Sequence, residues 1–129
     1  MPARLPPLWD LVSGKPEEQA AAVGAVLAGN LMTLALLRAR AELKRHPEKA
    51  GTTPRYLDAF PRLSWAIFLA TSVYFLALAR QDAARSPERN TKAALWANRL
   101  GLAAVLLRGR GVFTAQPLSE VTLESLEQG

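Results

Sequence analysis

Leu63-Ser-Trp-Ala-Ile-Phe-Leu-Ala-Thr-Ser-Val-Tyr-Phe-Leu-Ala-Leu-Ala79 decides the fold class. Its 17 residues carry no charge, and only Ser64, Thr71, Ser72 and Tyr74 bring hydroxyl groups to an otherwise apolar surface on every side. A soluble amphipathic helix needs a wet face and places charged residues every three or four positions opposite its apolar stripe. This run has no such face. As a helix it covers about 26 Å at 1.5 Å per residue, a little short of a hydrocarbon slab of roughly 30 Å. Snorkelling of the flanking Arg62 and Arg80 makes up the difference.

Upstream, a second run without charge extends 19 residues from Gln19 to Leu37, so the 27 charged side chains of this 129-residue chain all lie outside two windows. The upstream run is rich in alanine and contains Gly24, Gly29 and Asn30. Ala20, Gly24 and Ala28 form a small-residue row that lets another helix approach closely, and Asn30 is the strongly polar group of the run, either hydrogen-bonded across helices or simply tolerated there. Ser13-Gly-Lys-Pro-Glu-Glu18 reads as the start of this helix, with Ser13 or Gly14 near the cap, Pro16 in the first turn and two acids at the positive end of the dipole. Residues 1–18 form an extramembrane segment, in which Arg4 to Trp9 reads as an extended or turn element with Trp9 at an interface. The segment lacks the basic and apolar regions of a signal peptide, so the first run is expected to act as an uncleaved anchor.

Between the two runs lies a basic loop, 38–62, holding seven of the sixteen basic residues. The first helix is expected to continue through Arg45 and to stop near His46-Pro47, with loop composition from Glu48 to Pro54. Arg38, Arg40, Lys44, Arg45 and Arg62 are candidates for contact with lipid headgroups, and Tyr56, Phe60 and Trp65 suit an interfacial aromatic belt. The net charge of +5 fits nucleic acid or anionic headgroups, and the position of the charges directly between apolar runs favours the headgroups. Two basic residues precede Gln19 against seven in the loop, so the loop is expected on the cytoplasmic side, or the equivalent face of an organelle membrane. Bacterial inner membrane, virion and organelle membranes fit equally well.

Downstream, residues 80–92 form a mixed-charge connection in which Ser86-Pro87-Glu88 opens a third helix. Its apolar part, 93–108, is interrupted by Asn98 and Arg99. Arg80, flanking the second run, is a further interface candidate, and two placements of the third helix are open: it lies in the interface with Arg99, Arg108 and Arg110 near phosphates, or it spans and Arg99 faces protein, satisfied by Asn30 or an acid. Gly109 and Gly111 are expected to end it, leaving an acidic tail, 109–129, that is either a short amphipathic segment or disordered.

No catalytic, metal or cofactor pattern emerges. Cysteine is absent, His46 is the single histidine, and no carboxylate lies in an apolar run, which leaves no basis for a thiol nucleophile, a histidine-ligated haem, a metal cluster or an intramembrane proton relay. Nucleophile elbows, Walker loops and dinucleotide fingerprints are missing as well. The expected architecture is therefore an all-α integral membrane protein: spans at 19–37 and 63–79 form a helical hairpin, joined by a third helix that is amphipathic or spanning. The expected role is a small non-catalytic structural or accessory subunit of a larger membrane assembly, contacting anionic lipid and either other subunits or further copies of itself. In small size, apolar helices and basic balance the chain resembles phage holins in outline, without a shared residue motif and with an acidic tail where theirs is basic. That resemblance implies a self-associating, membrane-permeabilising alternative. A soluble basic helical bundle that binds nucleic acid through 38–62 is the least favoured reading.

Overall fold

The computed structural model describes residues 12–122. The turn element at Arg4 to Trp9 and the end of the acidic tail lie outside the described residues. Every element within them is helical: α1 (Pro16–Arg45), α2 (Phe60–Arg85) and α3 (Arg89–Thr114), with short 3₁₀ turns at Pro47–Lys49, Arg55–Ala59 and Leu118–Glu120.

Local chemistry sets the helix ends. Lys15 caps α1 in an extended conformation and Pro16 follows in the first turn, where its missing N–H costs nothing. Glu18 reaches back, its carboxylate accepting hydrogen bonds from the Ser13 hydroxyl at 2.7 Å and from the Ser13 and Gly14 N–H groups at 3.2 Å. Gly14 adopts φ +70° there, and a Cβ would stand 3.3 Å from Leu78 Cδ2. At the far end His46 caps α1 and Pro47 stops it, while the Lys49 ammonium returns to Glu42 at 2.9 Å. The Glu88 N–H donates to the Thr91 hydroxyl at 2.9 Å, and Thr91 lies within hydrogen-bond distance of the Ser86 carbonyl, which fixes the start of α3 after a connection of three residues.

The third helix runs further than its glycines predict. Gly109 and Gly111 lie inside α3, which continues to Thr114 and stops three residues before Pro117. A helix-interior glycine costs roughly 1 kcal/mol, and at position 109 close packing offsets it. The Trp65 indole lies against the Gly109 backbone, where a Cβ would stand only 2.8 Å from Cζ2, and its N–H donates to the Val105 carbonyl at 2.8 Å.

Helix α2 is the central element and packs against both α1 and α3. The inward residues of α1 include Ala22, Ala25, Gly29, Met32 and Leu36, and those of α3 include Leu95, Asn98, Leu102, Val105, Gly109 and Val112. Both series alternate steps of three and four, the 3.5-residue period of left-handed helix packing. The short α2–α3 connection makes those helices antiparallel, from Asn90 near Asp82 to Phe113 against Trp65. Two stretches, Pro16–Arg45 and Arg55–Arg85, are long and apolar enough to cross a membrane, and only 17% and 22% of their most apolar windows are buried.

Where the helices meet, the side chains are small. Ser64, Thr71, Ala77 and Ala79 are buried on α2, Gly29 receives the edge of Phe68, and Gly109 receives Trp65. The large apolar side chains point outward: Leu27 is 60% exposed, Trp96 62%, Leu100 68% and Leu107 78%. Among the described residues a leucine core forms at the end that carries the basic loop, where Leu36, Leu43, Leu57 and Leu118 cluster with Ala39, Phe60 and Val121. Leu118 reaches this core because the chain folds back after Pro117. Asp58 holds it there, accepting from the Ser119 N–H at 3.0 Å and from the Ser119 hydroxyl.

Candidate functional site

The leucine core forms one wall of a cavity of about 1060 Å³ at the loop end of the bundle. Four guanidinium-bearing residues line it from four separate elements: Arg40 from the last turns of α1, Arg55 from the 3₁₀ turn, Arg62 from the first turn of α2 and Arg108 from α3. Leu36, Leu57, Leu63 and Val112 give it an apolar lining. Arg62 is steadied by the Phe113 ring, 5.1 Å from its guanidinium carbon.

Asp58 is the single acid in the lining. Its carboxyl is held below the usual range, first by the Ser119 hydroxyl, then by the Ser119 N–H, with the charge of Arg55 adding to both. Four cations against one anion leave the cavity with a net charge of three, and among the described residues none of the four arginines is ion-paired with a carboxylate. Such a site can hold an oxyanion, because guanidinium groups present paired N–H donors that match phosphate and carboxylate geometry.

A second feature lies deeper between the three helices. A recess of about 440 Å³ is lined by Asn30 and Thr33 of α1, Thr71 and Ser72 of α2, and Asn98 and Arg108 of α3. Much of its polarity is spent locally, since Thr33 donates to the Gly29 carbonyl, Thr71 lies within hydrogen-bond distance of the Ile67 carbonyl, and Asn98 donates to the Ala94 carbonyl.

The residues singled out in the sequence are distributed as follows. Arg40 and Arg62 come together in the large cavity, whereas Arg38 and Arg45 point to solvent and Lys44 lines a smaller recess beside Leu43. Tyr56 is exposed with its ring 5.8 Å from Phe60. Trp65 is turned inward, edge-on to Phe113 at 5.2 Å and hydrogen-bonded to α3. Arg80 is exposed at the opposite end of α2 from Arg62. Arg99 is exposed and stacks over the Trp96 ring at 5.2 Å, so the guanidinium beside Asn30 in the inter-helix recess belongs to Arg108. Ala20 and Gly24 face outward, Gly24 with nothing within 4 Å of where a Cβ would stand, and Ala28 is half-buried.

Sequence reasoning missed Gly29 and Gly109 as packing sites, the Asp58–Ser119 clasp, and the convergence of Arg55 and Arg108 with Arg40 and Arg62. The glycines did carry a signal: Gly29, Leu36 and Leu43 are seven apart, as are Leu95, Leu102 and Gly109. The clasp carried none, because its partners stand 61 residues apart. Among the described residues no three His, Asp or Glu side chains gather as a metal site would require. No family model matches the chain, and no curated protein or solved structure is significantly similar to it.

Proposed function

We propose that this chain is a small membrane-embedded, non-catalytic subunit that serves a structural or accessory role in a larger membrane assembly. One observation carries the reading: along the charge-free runs the molecule buries Gly29, Ser64, Thr71, Ala77 and Ala79, and it turns Leu27, Leu31, Leu34, Leu100, Leu107 and Trp96 outward. Water penalises that distribution, since exposed apolar patches of this extent are rare on soluble monomers. A bilayer does not penalise it, because lipid chains solvate leucine as well as another leucine does, and helices there associate through small residues and backbone proximity.

The third helix supports the subunit role. Lying along α2, it enters the bilayer with α2, yet it carries Asn98, Arg99 and Arg108 and falls outside the stretches apolar enough to cross alone. Arg99 neighbours Asn98, which lies level with Phe75, four residues inside the end of the charge-free run and about 6 Å from it. A charged group there is costly against lipid alone and is relieved by a protein neighbour on the Trp96, Leu100 and Leu107 face.

Extraction of native membranes in mild detergent tests the role. The chain is expected to run with partner subunits, and Arg99→Leu to weaken that association. Recovery of a monodisperse chain without a partner would remove the accessory reading. A second reading, self-association of holin type, is favoured by the outward Ala20 and Gly24 face with open space at Gly24. It requires that induced expression collapse the membrane potential, and cells that keep their potential would eliminate it.

A further inference from the structure

We infer that the arginine-lined cavity at the loop end is a binding site for the phosphate of an anionic phospholipid. Its construction is amphipathic. Arg40, Arg55, Arg62 and Arg108 converge on it from four elements, while Leu36, Leu63 and Val112 continue its lining into the apolar part of the bundle. Leu63 is 47% exposed at the first turn of the charge-free run of α2, so the lining opens towards the surface that lipid chains would cover. A phosphate at the arginines and an acyl chain along Leu63 satisfy both halves of the site. A free anion would satisfy one and leave the apolar lining wet.

The charge balance points the same way. Asp58 is the single lining acid, and both of its oxygens are engaged by Ser119, so it neither neutralises the arginines by close ion pairing nor offers a docking point for a cation. Among the described residues the ion pairs of this end are confined to Glu42, His46, Glu48 and Lys49, beyond the cavity. Four guanidinium groups collected without matching carboxylates repel one another, and a phosphate oxyanion removes that repulsion while accepting paired N–H bonds. Arg62 is pre-positioned for this by its stacking on Phe113. The site lies level with the basic loop, where headgroups would stand if the helices cross the bilayer.

This inference rests on the membrane-embedded reading and is tested separately from it. The full chain is purified in mild detergent, equilibrated with mixed dioleoyl phosphatidylglycerol and dioleoyl phosphatidylcholine micelles, and its retained lipid measured by native mass spectrometry. Preferential retention of phosphatidylglycerol is expected, reduced about fivefold by each of Arg40→Gln, Arg62→Gln and Arg108→Gln. Arg38→Gln, at the same level but outside the cavity, is expected to leave it unchanged. Arg62→Lys keeps the charge and the fold and should retain an intermediate preference. Equal retention in the wild type and in the folded triple glutamine variant would overturn the inference. Saturable binding of inorganic phosphate in lipid-free detergent, undiminished by added phosphatidylglycerol, would assign the arginines to a free anion and overturn the lipid assignment. Loss of the chain from washed membranes would instead end the membrane reading, whatever the lipid result.

Discussion

The middle of the bundle and its loop end are built on opposite rules. At the loop end Leu36, Leu43, Leu57 and Leu118 turn inward and an acid–serine clasp closes over them, as in a water-soluble core. In the middle the interior holds Gly29, Ser64, Thr71 and Ala77, while Leu27, Leu31, Leu100 and Leu107 face outward. On the proposed membrane reading one chain meets two environments: water at the end rewards burial of leucine, and a medium as apolar as leucine leaves only close packing to hold the middle together. The boundary between them falls near Arg40 and Arg62.

The same truncation should therefore read differently in the two regions. Leu43→Ala removes one of the most buried side chains, 4% exposed, and is expected to lower stability in detergent by about 2–5 kcal/mol. Thermal unfolding followed by helical circular dichroism measures it, and a negligible loss would show that the end core contributes little.

Next in size is Gly109→Val, which places its side chain where Trp65 Cζ2 already stands 2.8 Å from a Cβ. Overpacking of this kind costs about 1–3 kcal/mol, with a shift of Trp65 emission as α3 separates from α2. Unaltered stability and emission would mean that the close approach at Gly109 does not set the packing of α3 against α2. Trp65→Phe keeps most of the ring and removes the N–H donated to Val105; about 1 kcal/mol is expected from the same unfolding measurement.

A smaller and local effect concerns acid. The Asp58 carboxyl is held below its ordinary value of 3.8 by Ser119. A lowered folded value means its stabilisation is complete above the ordinary value and is lost as pH falls through the folded one. Hydrogen-exchange protection of the Ser119 amide should then hold at pH 5 and fade below about 3.8, with Asp58→Asn abolishing the dependence. Protection that ignores pH would dissociate the clasp from Leu118 docking. Smallest of all is Leu107→Ala at 78% exposure, expected to change stability in detergent by less than about 0.5 kcal/mol.

The helix positions were legible in advance, but the two-region division was not. Charge exclusion alone located α1 and α2, and Pro47 and the Ser86-Pro87-Glu88 step placed the breaks on either side of α2. The start of α3 followed from the same step, but not its end: at Gly109 packing against Trp65 offsets the cost of a helix-interior glycine, while Gly111 stays helical with open space where a Cβ would stand. Which small residues of α1 face α2 was also hidden: Ala20, Gly24 and Ala28 form a row as regular as Ala22, Ala25 and Gly29, and composition does not rank them. The ring of Phe68 decides, by filling the space at Gly29. Arg40 and Arg62 were singled out from their positions beside the apolar runs, whereas their meeting with Arg55 and Arg108 depends on the packing of α2 against α1 and α3, contacts between segments far apart in sequence.

The central claim is that the outward leucines of the middle face lipid. Carbonate washing of membranes from cells expressing the full chain tests it most directly. Retention in the washed membranes, with release only by detergent, is the result this account expects. Recovery of the chain in the soluble or carbonate fraction would contradict it, turning the exposed faces of α1 and α3 into surfaces covered by a soluble partner or by further copies of the chain.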